Sequence, residues 1–352
     1  MSEALAHAES LLEQRRLPES LAWFDRAEKW GADPDRCAGG RWMVFALQGN
    51  LPAAWAESDV IRRRNAPDPN RFWGGEDPCG RRVILRCLHG FGDSVQFLRL
   101  APRLRSLCSH LLVECAPRAV DLLRCLPGID EVIPWGEAGA DSAASWQVQL
   151  ELMELPYVLR ITLTDLPSTG YLRLPPHELD RASRAVTACN PLRAVPNIGV
   201  VWSSGDWNSS RSIPIEFLAP ILSRNDCRYW NLQGGPLRNQ WRSLNHCGLC
   251  DSPLLDDGGL VSLAAVIAKL DLVITVDTLS AHLAGALNIP CFLLLQHCAD
   301  WRWMTDRNDS PWYPSLRLFR QAVPGDWAGL IRNLGCTLDR WIAVRAGTRA
   351  IA

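Results

Sequence analysis

Lys269-Leu270-Asp271-Leu272-Val273-Ile274-Thr275-Val276-Asp277-Thr278-Leu279-Ser280-Ala281-His282-Leu283-Ala284-Gly285-Ala286-Leu287, followed by Pro290 and the apolar run Cys291 to Leu295, decides the fold class. A short β-branched run that ends in a carboxylate and a hydroxyl, then an Ala/Leu helix, then a second apolar run, predicts strand, turn, helix and strand of a parallel α/β sheet. Ligands bind at the carboxyl ends of such strands. Asp277, Thr278 and Ser280 stand at that end, where Thr278 or Ser280 can cap the helix and its free N–H groups face an anion.

Working outward, strands and helices alternate on both sides. Upstream of this stretch lie Ile198-Gly199-Val200-Val201-Trp202 and Tyr229-Trp230-Asn231-Leu232, each a strand of the same unit. An earlier series begins with Val83-Ile84-Leu85-Arg86-Cys87-Leu88, a helix over 94–107, and apolar runs at Leu111-Leu112-Val113 and Glu131-Val132-Ile133. The breakers Asn190-Pro191 and Pro196 separate the two series. Two Rossmann-like units are expected, over 81–192 and 193–335, facing each other across a cleft. Stretches 327–334 and 338–344 read as closing helices, leaving 336–352 as a C-terminal helix or tail.

Residues 1–65 carry helical spacing instead, in Leu5, Ala8, Leu11 and Leu12, then Leu21, Phe24 and Ala27. Leu17-Pro18 recurs as Leu51-Pro52, 34 positions later, which is the tetratricopeptide period. Two such hairpins cannot bury their own apolar faces, so they should pack on the next domain or on a partner. A polar linker over 66–80 follows, starting in Asn65-Ala66-Pro67-Asp68-Pro69-Asn70.

The 352 residues carry a formal charge of −1, which excludes a global basic field for nucleic acid or an anionic membrane. No uninterrupted apolar stretch approaches a membrane span, and Met1-Ser2-Glu3-Ala4-Leu5 lacks the marks of a secretory signal, so a cytoplasmic protein with no integral membrane segment is expected. The 13 cysteines are read as free thiols, several of them inside strands or helices. Cys247-Gly248-Leu249-Cys250, with Cys227 upstream, lacks a second pair at finger-like spacing, so an ordinary loop and no metal is the expectation.

Candidate chemistry clusters at strand ends. His89-Gly90-Phe91-Gly92-Asp93 makes a tight turn that sets Asp93 at the cleft mouth near a helix N-terminus, as a catalyst or as a helix cap. Ser203, Ser204 and Arg211 lie on a polar loop that could hold a diphosphate, since guanidinium pairs bidentately with phosphate oxygens. Gln233, before Gly234-Gly235, is at the cleft wall. His282 lies in the first turns of its helix, facing the Asp277 turn. Trp301 and Arg302 belong to an aromatic block that either stacks on a sugar or base and pairs with phosphate, or packs between domains.

In their order along the chain, Trp73-Gly74-Gly75-Glu76, Gly90 to Phe97, Arg211-Ser212-Ile213-Pro214, Asp277-Thr278 with Ala281 to Leu287, and Asp300-Trp301-Arg302-Trp303 with Asp309 to Pro314 resemble bacterial tetratricopeptide proteins with a glycosyltransferase family 9, heptosyltransferase-like domain. The resemblance covers about residues 70–340. It implies a GT-B fold, with acceptor bound mainly by the first Rossmann-like domain and nucleotide-sugar by the second, and an inverting, metal-independent transfer to a protein or glycan acceptor without a cofactor. By position, Asp93 matches the family's general base, Arg211 a phosphate-binding lysine, Ser203-Ser204 the diphosphate-contacting hydroxyls, and Asp277, Thr278 and His282 the donor motif. Leu279 replaces a glycine of lipopolysaccharide heptosyltransferases, which leaves the sugar open. The alternatives are a non-catalytic GT-B scaffold binding partners through its repeats, and a sugar-nucleotide epimerase.

Overall fold

A computed structural model describes residues 2–64, 72–136, 146–166, 169–191, 195–244, 248–251, 253–256 and 259–351. The linker stretch 65–70 and Cys247 lie outside them. Four helices come first: α1 (Ser2–Glu13), α2 (Leu17–Lys29), α3 (Pro34–Leu47) and α4 (Leu51–Arg64). The Leu-Pro pairs begin α2 and α4, where proline in the first turn gives up an N–H that has no intrahelical partner anyway. Asp33 caps α3, accepting from the N–H of Asp35 at 2.8 Å. Arg41, buried on α3, donates to Glu28 of α2 at 2.7 Å and to Glu57 of α4 at 3.0 Å, which locks the helices in register.

The first lobe contains β1 (Arg82–Arg86), α5 (Phe91–Phe97), α6 (Ala101–Leu107), β2 (His110–Cys115), α7 (Val120–Leu123), β3 (Glu131–Pro134), β4 (Val148–Glu151), α8 (Leu155–Val158) and α9 (Pro176–Cys189). Its parallel sheet has the order β3-β2-β1-β4. The helix expected over 94–107 starts earlier, at Phe91, and tightens to a 3₁₀ turn at Leu98–Leu100, ahead of Pro102.

The second lobe holds β5 (Asn197–Val201), α10 (Ala219–Leu222), β6 (Arg228–Asn231), β7 (Leu249–Cys250), α11 (Leu260–Ile267), β8 (Leu272–Val276), α12 (Leu279–Ala286), β9 (Cys291–Leu295), β10 (Leu316–Arg320) and α13 (Trp327–Ile351). All six strands are parallel, in the order β10-β9-β8-β5-β6-β7. Strands β5, β8 and β9 are buried along their whole length, as continuous apolar runs between helix layers should be. The two closing helices expected after 327 are one continuous helix, α13, since Gly335 opens no break in the backbone ladder.

The hairpins do not stand apart. One continuous buried apolar cluster runs from Phe24, Leu47 and Trp55 through the first sheet to the near face of the second, while a separate cluster packs α13 on the far face. Trp55 Nε1 donates to the Ile161 carbonyl of the first lobe at 2.8 Å. Arg15 donates to the Ala299 carbonyl of the second lobe at 2.7 Å, and the Thr305 N–H to the Leu47 carbonyl at 3.0 Å. The four N-terminal helices thus bury apolar surface against both lobes at once.

Candidate active site at the junction of the lobes

The two lobes meet where α5 packs on α12. Gly92 makes that approach feasible: a Cβ there would stand 2.6 Å from Cδ2 of His282. Asp93 is the third residue of α5. Its Oδ2 accepts from the Gly90 N–H at 3.1 Å, a helix-capping bond, and its Oδ1 accepts from Arg302 Nη2 at 2.8 Å. The carboxylate is therefore both cap and junction group, and its side chain retains 26% exposure.

Arg302 is the hub. It is buried in the turn after β9, donates to Asp300 at 2.7 Å as well as to Asp93, and lies over the rings of Phe97 and Trp301 at 5.1 and 5.0 Å. Its guanidinium is committed to carboxylates, and Nη2 also touches the Met153 sulfur at 3.5 Å. Trp301 is buried against Phe97, Trp42 of α3 and Trp312, so it packs hairpin to lobe instead of presenting an open face. Of the two roles open to it in the sequence, the structure gives it packing.

Asp277 directly follows β8 and is 8% exposed. Burial, and then the neighbouring Asp300 charge, push its carboxyl up to about 6 against the pull of Arg211 and Arg302. Arg211 Nη1 stands 3.8 Å from Asp277, and His282 Nε2 4.0 Å. His282, on the first turns of α12, has its ring Nδ1 3.0 Å from the Tyr313 hydroxyl. Burial and then the charges of Arg302, Arg99 and Arg211 depress its pKa to about 3, so the imidazole is neutral. Arg99 is buried with Tyr171 and Tyr313, its guanidinium 4.7 and 4.3 Å from their rings.

Thr278 occupies the N-cap position of α12 but makes no cap hydrogen bond; its hydroxyl lies 3.0 Å from that of Thr275. The expected side-chain cap is therefore replaced by a strand-end hydroxyl pair, and Ser280 is buried. Gln233 is likewise turned inward: its Oε1 accepts from the Trp202 and Ser203 N–H groups at 3.2 and 2.9 Å, and its Nε2 donates to the Ser203 carbonyl. It shapes the β5 turn. Ser203 and Ser204 converge with Ser212, whose hydroxyl accepts from the Ser204 N–H at 3.0 Å. Ser204 and Arg211, after β5, and Thr278, after β8, are half-buried, while Gly205, Gly234 and Gly235 are exposed.

Sequence reasoning passed over Asp300, Trp303, Tyr313 and Ser212 as site residues, although each lay in a quoted segment. Their signal was proximity in sequence to Arg302 or Arg211. Among the described residues there is no cluster of three or more His, Cys, Asp or Glu groups arranged to hold a metal ion. Nor is any described helix long and apolar enough to cross a membrane.

The Asp277 carboxyl yields a pH prediction. Below pH about 4 it is protonated in both folded and unfolded chains and contributes nothing. Between about 4 and 6 the unfolded chain releases the proton first, so stability falls as pH rises, and above 6 the full penalty stands. Asp277→Asn is expected to raise stability at pH 8 by on the order of 3 kcal/mol, with no gain at pH 3.5. Urea unfolding at the two pH values checks it, and a pH-independent difference would show that Asp277 is not the strained group.

No family model matches the chain. Among curated proteins it is similar to Protein FlbA of Caulobacter vibrioides, 23% identical over 380 residues that take in 97% of this chain; the chain spans about three fifths of that relative's length, 59%. Among solved structures it is similar to the family 9 glycosyl transferase of Veillonella parvula, with TM-score 0.55 and 13% identity, covering 72% of this chain and 88% of that one. It is also similar to the Escherichia coli ADP-heptose lps heptosyltransferase II, with TM-score 0.53 and 14% identity, covering 74% of this chain and 99% of that one. The α/β frame with its two parallel sheets thus shares the fold of these two solved structures.

Proposed function

We propose that the protein is an inverting, metal-independent glycosyltransferase of GT-B type, moving a sugar from a nucleotide-diphosphate donor to a hydroxyl of a protein or glycan acceptor. The observation that carries this is the packing of α5, which bears Asp93, on α12 of the second lobe, where Arg302 ties down Asp93 and Arg211 stands 3.8 Å from Asp277 beside an α12 start without a side-chain cap. A nucleotide-sugar would lie with its diphosphate against Ser204, Arg211, Thr278 and the α12 N–H groups, which neutralise a departing diphosphate without Mg²⁺. The acceptor oxygen forms a bond to the anomeric carbon as the bond to the diphosphate oxygen breaks. The acceptor's proton passes to Asp93, and the electron pair of the broken bond leaves on the nucleoside diphosphate. The hairpins, related by the tetratricopeptide period, complete the acceptor side.

A melting-temperature screen with ADP, UDP, GDP and CDP tests the donor half. At about 100 times its Kd a nucleotide contributes roughly 2.7 kcal/mol, a shift of several degrees. The shift is expected to shrink in Arg211→Ala, and a flat response to all four would sink the donor site. A second reading has one observation in its favour: both Asp93 oxygens are already engaged, as a non-catalytic scaffold would tolerate. Nucleotide binding with neither transfer nor release of free sugar would select it.

A further inference from the structure

Between the hairpins and the carboxyl end of the first sheet lies a cavity of about 250 Å³ that the chemistry at Asp93 does not use. Trp42 of α3 and Trp55 of α4 line it from one side, Trp73 and Tyr157 from the other, with Glu151 and Met153 at its floor. The rings form a connected wall: Trp42 and Trp55 have centroids 6.3 Å apart, Trp55 and Tyr157 6.0 Å, Tyr157 and Trp73 5.7 Å. Tyr157 is pinned by donating to Asp59 of α4 at 2.6 Å.

The floor is polar in a particular way. Glu151 ends β4 and is 1% exposed; its Oε2 accepts from the Met153 N–H at 2.6 Å, but its Oε1 makes no hydrogen bond among the described residues. His89 Nε2 stands 3.6 Å from that oxygen. A buried carboxyl oxygen without a partner is costly unless something fills the place. Burial pushes the Glu151 carboxyl up to about 7, so it can donate as well as accept. Next along the floor, Met153 touches Arg302, which holds Asp93.

We infer that this cavity is a subsite for a single hydroxyl-bearing sugar ring, stacked on the tryptophan faces and hydrogen-bonded to Glu151, and that the hairpins and the first lobe build it jointly. Apolar ring faces and one acid at the floor match a sugar's C–H faces and hydroxyl edge. A cation would also suit aromatic faces, but the Arg62 guanidinium, itself in the lining and 4.1 Å from the Trp73 ring, already supplies a positive charge that repels a second one while leaving a neutral ring unaffected. The volume falls below the ~300–1,000 Å³ of pockets for drug-sized ligands, which suits one ring. That the ring belongs to the acceptor rests on the transferase reading; that the cavity takes a sugar does not.

The test is saturation-transfer NMR on the full chain with methyl β-glucopyranoside, methyl α-mannopyranoside and methyl N-acetyl-β-glucosaminide, each with tetramethylammonium as the competing chemistry. At least one glycoside is expected to bind and to weaken 10-fold or more in Glu151→Gln and in Trp73→Leu. Ser58→Trp, which fills the cavity from a half-buried lining position on α4, should abolish binding while leaving the aromatic rings and Glu151 in place. Nucleoside diphosphate melting shifts serve as the control. Glycoside binding lost in these variants while nucleotide shifts persist supports the subsite. Glycoside binding in a protein with no nucleotide response leaves the subsite standing and removes the transferase reading. Silence from every glycoside, binding indifferent to Ser58→Trp, or tetramethylammonium bound in their place overturns the inference.

Discussion

Asp93→Asn is expected to lower kcat for sugar transfer by about 10²–10⁴-fold, the range for removal of a general base, with donor KM nearly unchanged. The substitution keeps the shape of the side chain but gives up one of the two carboxylates that Arg302 pairs with, so some loss of stability is expected beside the loss of turnover. An asparagine carbonyl oxygen can still accept from the Gly90 N–H or from Arg302, so α5 keeps its start. Engagement of both carboxylate oxygens does not exhaust the group. Each oxygen offers about two lone-pair positions, one bond is made at each, and the side chain is 26% exposed. A lone pair thus stays open to an acceptor hydroxyl. Nucleotide-induced melting shifts should match those of the unaltered protein, because the donor contacts come from the other lobe. Turnover within a factor of two or three of the original would take Asp93 out of the mechanism and leave it as a helix cap tied to an arginine.

How far the sequence reaches is visible in particular elements. Strands β5, β8 and β9 are apolar from end to end because they lie inside the sheet with helices on both faces, and a continuous apolar run survives any ambiguity of period. Strands β4 and β10 escaped notice. Each is the outermost strand of its sheet, paired on one side only, and Val148-Gln149-Leu150-Glu151 and Leu316-Arg317-Leu318-Phe319-Arg320 carry polar side chains that a covered strand would not. The site divides along the same line. Asp93, Asp277, Thr278 and His282 were legible because each lies in the turn after a strand or in the first helical turns that follow it, and that position is a local fact. The pairing of Asp93 with Arg302 joins residues 209 apart in the chain and depends on how two lobes dock. Gln233 looked like a cleft-wall ligand for the same local reason, yet its amide is spent on the neighbouring turn, which only the fold of β5 against β6 decides.

Arg302→Met is expected to destabilise the protein by about 3–5 kcal/mol at pH 8, the cost of breaking a buried ion pair from one side. Methionine keeps the unbranched bulk between Phe97 and Trp301, so the loss is one of charge more than of packing. What remains is Asp93, Asp300 and Asp277 near one another, with Arg211 as the neighbouring cation at Asp277. The pH dependence has a fixed sign. Asp277, already at about 6, loses one of the two arginines that hold it down, so its folded-state value rises further and the folded variant keeps its proton to higher pH. Stability of the variant therefore improves on acidification relative to the original, and the deficit at pH 4.5 should be smaller than at pH 8. Urea midpoints at both values measure this, with Arg302→Lys as the partner variant that restores charge without the planar fork. Equal deficits at the two pH values would mean that Arg302 acts by filling space between the rings. A deficit that collapses at low pH and is largely rescued by lysine would place the stability of the junction in its charges, the same charges that orient Asp93.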